Sequence, residues 1–420
     1  MRNVDFEGSE IKEVLYNDLR LSVQTVGKPA WQPMLRYVAR LHAESVHAPR
    51  EPFSYPWEEI GPGYCYGPAF GHWDLIHQLF DVVEVSPTHA KWQLLNLFAV
   101  QDPDGHMPGT IWMREPEPRW GDEISHPPVW PYALEACLQQ EDDPTLLATG
   151  FDALSRQLDW FEMNRRAEPD GFYYRDILTR DWESGIDEGV RFDDAQPGPF
   201  ACVDATAHVY SLYVHGAHWA ERLDRPSARF RERAEALRTF MQTRLYVEDE
   251  GFFFDVWAVD DPNQRRVALE GMWPFVVGAT TSEQADRVID GYLLNPERFF
   301  TRHPVSTVGV NDPRFELRMW RGPTWNSMTY WAARGCMAYR RFDAACQLLE
   351  RALEASAAQF DRTQTIWEFY HPHGGKPETL ERKPHTDYNQ PCRDYLGHNP
   401  IIAMARLWER AGEFGQATVT

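Results

Sequence analysis

The sequence predicts a mostly helical protein in which pairs of helices form a closed ring and the connecting loops gather at one end. Three observations predict this fold class. Apolar residues recur at helical spacing in several long segments, no segment has the pattern of a parallel strand, and similar turns recur between helices. An open solenoid of helix pairs is the alternative, although the long, tryptophan-rich loops differ from the short turns usual in solenoids.

Predicted helices extend along the whole chain. Four fall in the N-terminal third, at residues 10–24, 32–46, 72–83 and 88–100. Three later helices each have one apolar face, within residues 147–161, 230–241 and 342–353, and a last helix is expected over residues 399–411. We interpret residues 1–420 as one domain, with residues 1–60 as an N-terminal helical part of the same ring.

The turns between helices resemble one another. Gly105, Gly171 and Gly251 each follow an acidic residue and precede a histidine or phenylalanine. Glycine supplies the positive φ that such turns often need, and we expect the residues after it to form short β-hairpins. The spacing is too irregular for a short solenoid repeat.

Composition and charge restrict the class of partner. The 420 residues are 43% hydrophobic and 14% aromatic, and their formal net charge is −21. No run of lysine or arginine is present, so nucleic acids and anionic membranes are poor candidates as partners. A neutral, hydroxyl-rich ligand fits this acidic chain better than a phosphorylated one, and no feature indicates the oligomeric state.

Cysteine usage and the chain ends predict a cytoplasmic protein. The six cysteines form no C-x-x-C pair and have no zinc-finger spacing with histidine, which favours free thiols in a reducing compartment. The first residues contain no apolar signal segment, and no apolar run is long enough to span a bilayer. No metal or cofactor motif is present, so we predict neither.

The densest group of charges lies at residues 180–191. Its four carboxylates belong to Asp181, Glu183, Asp187 and Glu188, close to Trp182. Mutual repulsion among carboxylates raises the pKa of at least one of them, and a general acid needs a raised pKa at neutral pH. An acidic surface loop is the alternative interpretation.

Aromatic residues in loops favour a carbohydrate ligand. Many of the 17 tryptophans lie outside helical core spacing, and aromatic faces pack against the C–H faces of sugar rings. Hydrolysis of a glycoside needs two carboxyl groups, one as acid and one as base or nucleophile. Glu368, between Trp367 and Phe369, is the second candidate, with a surface glutamate as the alternative.

Several segments, taken in order, carry a specific resemblance. Glu183-Ser184-Gly185-Ile186-Asp187 followed by Arg191 resembles the Glu-Ser-Gly-x-Asp signature of (α/α)6-barrel glycosidases of the trehalase and processing α-glucosidase type, especially bacterial mannosylglycerate and glucosylglycerate hydrolases. The other matching segments are Trp73-Asp74, Ser125-His126-Pro127-Pro128, Val203-Asp204-Ala205-Thr206, Gly251-Phe252-Phe253-Phe254-Asp255, Trp320-Arg321-Gly322-Pro323-Thr324-Trp325-Asn326 and Trp367-Glu368-Phe369-Tyr370.

The resemblance implies an all-α (α/α)6 barrel with long aromatic-rich loops, and an inverting, exo-acting α-glycosidase that removes a glucosyl or mannosyl unit from a small glycoside. Asp187 would be the general acid and Glu368 the general base that activates water, with their carboxyl groups about 6.5–9.5 Å apart. The expected substrate-binding residues are Tyr66, Trp73, Asp74, Trp112, Trp182, Glu183, Arg191, Trp320, Arg321, Trp325, Trp367, Tyr370, Gln390 and Arg393.

Two departures from the family pattern bear on the substrate. His126 stands where the family usually has glutamine, and Leu75-Ile76-His77 follows Trp73-Asp74 in place of Ser-Gly-Phe. Residues 376–395 also differ from the usual Gly-rich turn, so we expect Gln390, Arg393 and Tyr395 to contact the leaving group. Arg393 would suit a carboxylate such as glycerate.

Two other functions remain open from the sequence. A sugar epimerase or isomerase on the same toroid would use a pair of histidines as acid and base, but no two of the 15 histidines share a motif. A carbohydrate-binding toroid without catalysis would not need both Asp187 and Glu368 in aromatic surroundings.

Overall fold

The computed structural model describes residues 8–121 and 124–417, and these are mostly helical. The α-helices are α1 (Gly8–Ser22), α2 (Gln32–Glu44), α3 (His72–Val82), α4 (Pro87–Ala99), α5 (Trp130–Gln140), α6 (Pro144–Asn164), α7 (Asp176–Thr179), α8 (Val203–Arg222), α9 (Ala228–Phe240), α10 (Val256–Asp260), α11 (Trp273–Val276), α12 (Ser282–Val288), α13 (Asn326–Ala338), α14 (Phe342–Thr363) and α15 (Ile401–Ala417).

Six of these helices form a closed inner ring. Neighbours around the ring are α3, α5, α8, α11, α13 and α15, and α15 returns to contact α3. Between α5 and α8 the rings of Trp130 and Trp219 lie 5.7 Å apart. The outer helices α2, α4, α6, α9, α12 and α14 each precede one inner helix. The ring is therefore closed, as the sequence predicts, and is not an open solenoid.

The burial of several inner helices explains why the spacing of apolar residues does not predict them. The sequence pattern predicts α1 to α4, α6 and α9 within a few residues, and it predicts α14 and α15, which extend ten and six residues beyond the predicted ends. It does not reveal α5, α7, α8 or α10 to α13. Nearly all of α8 from Val203 to Tyr213 is buried, as is most of α13. A helix buried on all faces has no polar side, so its apolar residues show no one-sided spacing.

Short antiparallel strands join the helices. They are β1 (Val46–His47), β2 (Trp57–Glu58), β3 (Ala69–Gly71), β4 (Thr110–Trp112), β5 (Arg119–Trp120), β6 (Tyr246–Val247) and β7 (Phe252–Phe253). Strands β3, β4 and β5 form one sheet, in which Ala69 lies opposite Trp112 and Gly71 opposite Thr110, so Thr110 lies beside the start of α3. Gly105, Gly171 and Gly251 all have positive φ, and Gly251 lies in the β6–β7 hairpin.

The N-terminal helices are joined to the ring by apolar and ionic contacts. Helix α2 contacts α14 and α15.

No helix among the described residues is long and apolar enough to cross a membrane. All six cysteines are free thiols, four of them buried.

A buried ion pair fixes β2 against three helices. His42 Nδ1 on α2 lies 2.6 Å from Glu58 Oε1, and Gln78 of α3 and His89 of α4 contact the same carboxylate at 2.9 Å. Burial alone would lower the pKa of His42, but Glu58 and Asp81 outweigh it and raise this pKa to about 9. Burial would likewise raise the pKa of Glu58, but His42 and His89 lower it to about 2. His42 is therefore charged at neutral pH.

Replacing Glu58 with glutamine should cost on the order of 3 kcal/mol of unfolding free energy, because a buried charge loses its partner. The folded pKa of His42 is raised to about 9, so its contribution is complete below its ordinary value of 6.5 and is lost as the pH rises through 9. The contribution of Glu58 is present above 4.5 and is lost as the pH falls through 2. The deficit of E58Q should thus be largest between pH 4.5 and 6.5.

Urea unfolding of wild type and E58Q at pH 5.5, 7 and 9.5 measures this difference. E44Q is the matched control, since the side chain of Glu44 is more than half exposed in its pair with Arg40. A deficit that stays constant from pH 5.5 to 9.5 would contradict the assignment of a charged His42.

Candidate active site

A cavity of about 270 Å³ opens at the end of the ring where the loops gather. It is lined by segments from all parts of the chain. The lining residues are Tyr64, Tyr66, Trp73, Asp74, Thr110, Trp112, Arg114, Arg119, His126, Trp182, Gly185, Asp187, Met319, Trp320, Trp325, Glu368, Arg382, Lys383, Tyr395 and His398.

Glu368 is the more buried of the two candidate catalytic carboxylates. Its Oε1 and Oε2 lie 3.0 and 2.8 Å from Arg382 Nε, and the backbone N–H of Cys392 donates to Oε2 at 3.0 Å. The Glu368 N–H in turn donates to the Cys392 carbonyl at 2.8 Å. Burial opposes the charge on Arg382, but Glu368 raises the pKa of this guanidinium well above its ordinary value. Arg382 thus stays charged and fixes the position of the Glu368 carboxylate.

Asp187 lies in a tight turn on the opposite segment. Its Oδ2 is 2.9 Å from Lys383 Nζ, and both side chains are about one-quarter to one-fifth exposed. Gly185 has φ 73°, and a Cβ there would stand 3.2 Å from the indole nitrogen of Trp73. Glycine at this position lets the turn approach the cavity wall. Asp187 is therefore held by a less rigid partner than Glu368.

Glu183 does not face the cavity and instead braces the turn. Arg165 contacts both carboxylate oxygens at 2.7 Å, and the backbone N–H groups of Ser125 and Arg175 donate at 3.2 and 2.6 Å. Ser184 donates to the neighbouring Asp176, whose pKa burial raises to about 8. These contacts fix the direction in which Asp187 points.

Arg191 forms a buried ion cluster behind the turn. It donates to both oxygens of Asp204 at 2.7 Å and to Asp255 at 3.1 Å, and its Nε lies 3.3 Å from Glu270. Burial raises the pKa of Asp255 to about 6 and that of Glu270 to about 7. Cys202, Asp204 and Asp255 have ligand atoms within 4.8 Å of one another. The guanidinium already satisfies both carboxylates, so we interpret the group as a brace.

Asp74 and its neighbours form the floor of the cavity. Tyr395 donates from its hydroxyl to Asp74 Oδ1, and His398 Nε2 lies 3.5 Å from the same oxygen. Burial raises the pKa of Asp74 to about 7. Trp320 and Trp325 stack with centroids 3.7 Å apart and also line this wall. The floor combines aromatic surface with a carboxyl group, as a site for sugar hydroxyls would.

His126 stands between Trp182 and the cavity. Its ring meets Trp182 edge-on at 5.0 Å, and its buried Nδ1 has no hydrogen-bond partner. Burial lowers the pKa of His126 to about 4, so the imidazole is neutral at neutral pH. It is thus an uncharged polar group at the place where the related sequences have glutamine.

Two exposed arginines stand at the cavity mouth. Arg114 and Arg119 line the opening, and the Arg119 guanidinium lies 5.3 Å from the Trp112 ring. Within residues 8–121 and 124–417, neither forms an ion pair with a carboxylate. Among the described residues, the two guanidinium groups thus lie at the cavity mouth without a carboxylate partner.

The structure brings together both candidate catalytic residues and half of the expected substrate-binding residues: Tyr66, Trp73, Asp74, Trp112, Trp182, Trp320 and Trp325. The other half lies outside the lining, in Glu183, Arg191, Arg321, Trp367, Tyr370, Gln390 and Arg393.

The seven expected residues outside the lining contact other groups or lie at the surface. Arg321 pairs with Asp193 and Glu316, which draw it behind the acid turn. The Arg393 guanidinium lies over the Trp367 ring at 5.0 Å, and neither residue lines the cavity. The Tyr370 hydroxyl accepts from the Trp367 N–H at 3.1 Å, and Gln390 is exposed.

Sequence reasoning missed Arg382, Lys383 and His398, which all line the cavity. The first two lie in residues 376–395, the segment where the sequence departs from the related pattern. That departure marks the segment, but it does not identify which of its cations turn inward.

Comparisons with known proteins agree with this architecture. A family model described as the mannosylglycerate hydrolase MGH1-like glycoside hydrolase domain matches residues 68–390. The structure of mannosylglycerate hydrolase from Thermus thermophilus in complex with glucose is 18% identical, covers 91% of this chain and 100% of its own, and has a TM-score of 0.67. Its complex with Tris and D-glycerate is 19% identical over the same shares, with a TM-score of 0.67.

More distant structures share the fold. Neutral trehalase from Saccharomyces cerevisiae is 14% identical, with 82% of this chain and 73% of that chain covered and a TM-score of 0.60. A rhamnosidase from Klebsiella oxytoca with rhamnose bound is 14% identical over 92% of this chain and 65% of that one, with a TM-score of 0.59. No curated protein sequence matches the chain. At these identities the structural likeness shows the (α/α)6 fold alone.

Replacing Asp74 with asparagine should stabilise the protein increasingly as the pH rises. The folded pKa of Asp74 is raised from 3.8 to about 7, so the folded state binds more protons within that window and loses stability as the pH rises through it. The D74N variant has no carboxyl group at this position, so it does not lose stability as the pH rises through this window. Its stability relative to wild type should increase by about 2 kcal/mol from pH 5 to pH 8.

Urea unfolding at the two pH values measures this increase. D152N is the control, because the side chain of Asp152 is 56% exposed in its pair with Arg225. Parallel pH dependence of D74N and wild type would contradict the raised pKa of Asp74.

Proposed function

Since the chain belongs to the mannosylglycerate hydrolase MGH1-like family of glycoside hydrolases, we propose that it is an exo-acting, inverting α-glycosidase. It removes a terminal α-glucosyl or α-mannosyl unit from a small glycoside. The observation that carries the proposal is one cavity lined by both Asp187 and Glu368, each paired with its own cation. The cavity volume of about 270 Å³ suits a small substrate better than a polymer.

The two carboxyl groups take different roles because their partners differ. Glu368 accepts hydrogen bonds from the Arg382 guanidinium and the Cys392 N–H, which is the environment that a general base needs. It removes a proton from a water molecule, and the water oxygen attacks the anomeric carbon. Asp187 donates its proton to the glycosidic oxygen as the bond between that oxygen and the anomeric carbon breaks. Attack on the face opposite the leaving group inverts the anomeric configuration.

The floor of the cavity holds the glycone in this proposal. The Asp74 carboxyl accepts hydrogen bonds from sugar hydroxyls, and its hydrogen bond with Tyr395 fixes its orientation. Trp73, Trp320 and Trp325 provide aromatic surface for the sugar ring. Trp73 also packs against Gly185 of the acid turn, so glycone and acid share one wall.

The cavity mouth favours an anionic leaving group. Arg114 and Arg119 supply two guanidinium groups, and guanidinium binds carboxylates through paired hydrogen bonds. The Thermus thermophilus relative has been determined with D-glycerate. A glycoside of glycerate therefore fits this chain better than a neutral disaccharide. Arg114 and Arg119 take the leaving-group role that the sequence suggested for Gln390 and Arg393.

The epimerase alternative has weaker support from the cavity. His126 and His398 both line it, but burial lowers the pKa of His126 to about 4 and that of His398 well below its ordinary value. Such histidines are poor acids and bases for proton exchange at neutral pH.

We retain the proposal of a cytoplasmic location, to which the six free cysteines are suited.

A substrate panel followed by proton NMR tests the proposal. Glucosylglycerate and mannosylglycerate should be hydrolysed with higher kcat/KM than trehalose, sucrose, kojibiose, nigerose, maltose and isomaltose, because only the glycerates carry a carboxylate for Arg114 and Arg119. The sugar should be released first as the β-anomer from an α-glycoside. Release of the α-anomer first would overturn the inverting mechanism, and a preference for a neutral disaccharide would overturn the anionic leaving group.

Asn and Gln variants test the catalytic pair. D187N and E368Q should each lose about 10²–10⁴-fold in kcat, because each removes one proton-transfer group while keeping the side-chain shape. D181N and E378Q are matched controls, since Asp181 lies in the same turn outside the cavity and Glu378 pairs with Arg362 at the surface. Near-normal hydrolysis by D187N or E368Q would show that the assigned roles are wrong.

A further inference from the structure

Two consecutive residues, Arg382 and Lys383, each contact one of the two candidate catalytic carboxylates. Arg382 Nε lies 2.8 Å from Glu368 Oε2, and Lys383 Nζ lies 2.9 Å from Asp187 Oδ2. Both cations lie near the ring of Tyr66, at 5.2 and 5.8 Å from its centroid. Two neighbouring residues of the segment 376–395 therefore set the charge environment of both groups.

These two ion pairs have opposite consequences for catalysis. A base must be ionised, so the cation on Glu368 supports its role. An acid must carry a proton, and a neighbouring ammonium favours the ionised carboxylate. The attraction of Asp187, opposed by burial, raises the pKa of Lys383, so the lysine cannot relieve the conflict by losing its own proton. In the empty site Lys383 thus opposes the function of Asp187.

The other groups that face Asp187 do not remove this conflict. His126 is neutral at neutral pH because burial lowers its pKa to about 4. Glu368 is compensated by Arg382, and Asp74 has a pKa raised to about 7 by burial. Among the described residues, Lys383 is the cation in contact with the Asp187 carboxylate.

Lys383 is free to move in a way that Arg382 is not. The Arg382 side chain is almost fully buried and contacts both Glu368 oxygens and the Tyr66 hydroxyl. The side chain of Lys383 is 25% exposed, has one ion pair, and ends in a flexible stem with a compact charge. Tyr66 offers its ring as a second contact for the ammonium.

A bound leaving group would lie within reach of this ammonium. The glycosidic oxygen must come within about 3 Å of Asp187 to receive its proton. Lys383 Nζ is 2.9 Å from the same carboxylate. Oxygen atoms of the leaving group next to the glycosidic oxygen are then near enough to compete with Asp187 for Nζ.

We propose that Lys383 is a positioning residue that pairs with Asp187 in the free enzyme and moves onto the leaving group when substrate binds. This inference rests on the proposed roles of Asp187 and Glu368. Asp187 then takes one proton from solvent and passes it to the glycosidic oxygen as the C–O bond breaks. Lys383 remains an ammonium throughout, and the proton of the attacking water goes to Glu368.

The pH dependence of hydrolysis tests this role, because the two kinetic constants report different states of the enzyme. The basic limb of kcat/KM reports the free enzyme and that of kcat reports the complex. With glucosylglycerate as substrate, the basic limb of wild-type kcat should lie about one pH unit above that of kcat/KM. In K383M the kcat/KM limb should rise to meet the kcat limb, and KM should increase because the leaving group loses a contact.

Two further variants separate this role from a structural one. K383R keeps a cation beside Asp187 and should retain separated limbs, while K376M removes an exposed lysine of the same segment and should match wild type. Coincident limbs in wild type would overturn the proposal, as would a K383M profile in which both limbs move together or neither moves. A K383M protein that unfolds would leave K383R and the wild-type profiles to decide.

Failure of this inference can be distinguished from failure of the proposed function. If D187N still hydrolyses glucosylglycerate at a near-normal rate, the catalytic assignment is wrong, and the role of Lys383 is wrong with it. If D187N is inactive but the two wild-type limbs coincide, the catalytic assignment stands and only the Lys383 role is wrong.

Discussion

The compensation of buried carboxylates by cations is the constraint on which this structure depends. A carboxylate removed from water must be paired with a cation or it becomes protonated. Glu58, Glu183 and Glu368 are each paired with a histidine or an arginine, and each fixes one segment to its neighbours. Within residues 8–121 and 124–417, no such cation contacts Asp74 or Asp176, and burial raises their pKa values to about 7 and 8. These two aspartates thus differ from Glu58 both in their partners and in the direction of their pKa shifts.

The sequence could predict the ring and one side of the site, because both leave local signals. One-sided apolar spacing identifies outer helices such as α6 and α14, and the Glu-Ser-Gly-x-Asp motif identifies Asp187. The partners of the catalytic groups leave no local signal. Tyr395 bonds to Asp74 from 321 residues away, and Arg382 reaches Glu368 across a loop of unusual sequence. These pairs depend on how the closed ring brings its loops together, which spacing along the chain does not encode.

The tryptophans show why one residue can satisfy two interpretations. The sequence leaves each loop tryptophan as either core filler or sugar platform. Trp73 is 1% exposed and belongs to the core, yet one part of it lines the cavity and packs against Gly185. Trp320 and Trp325 stack on each other and also form cavity wall. Arg321, between them in sequence, turns the other way to its carboxylate partners. Because part of each indole ring is packed in the core, the part that lines the cavity is a rigid surface.

Closure of the ring and assembly of the site consequently depend on the same contacts between α3 and the segment that leads to α15. Helix α3 begins with the cavity residues Trp73 and Asp74, while Tyr395 and His398 immediately precede α15. The contact of α3 with α15 closes the ring, and the same approach places the Tyr395 hydroxyl on Asp74. The segment that leads to α15 also carries Arg382 and Lys383. Because the last part of the chain supplies partners for Asp74, Asp187 and Glu368, these three carboxyl groups acquire their different contacts only once the ring is complete.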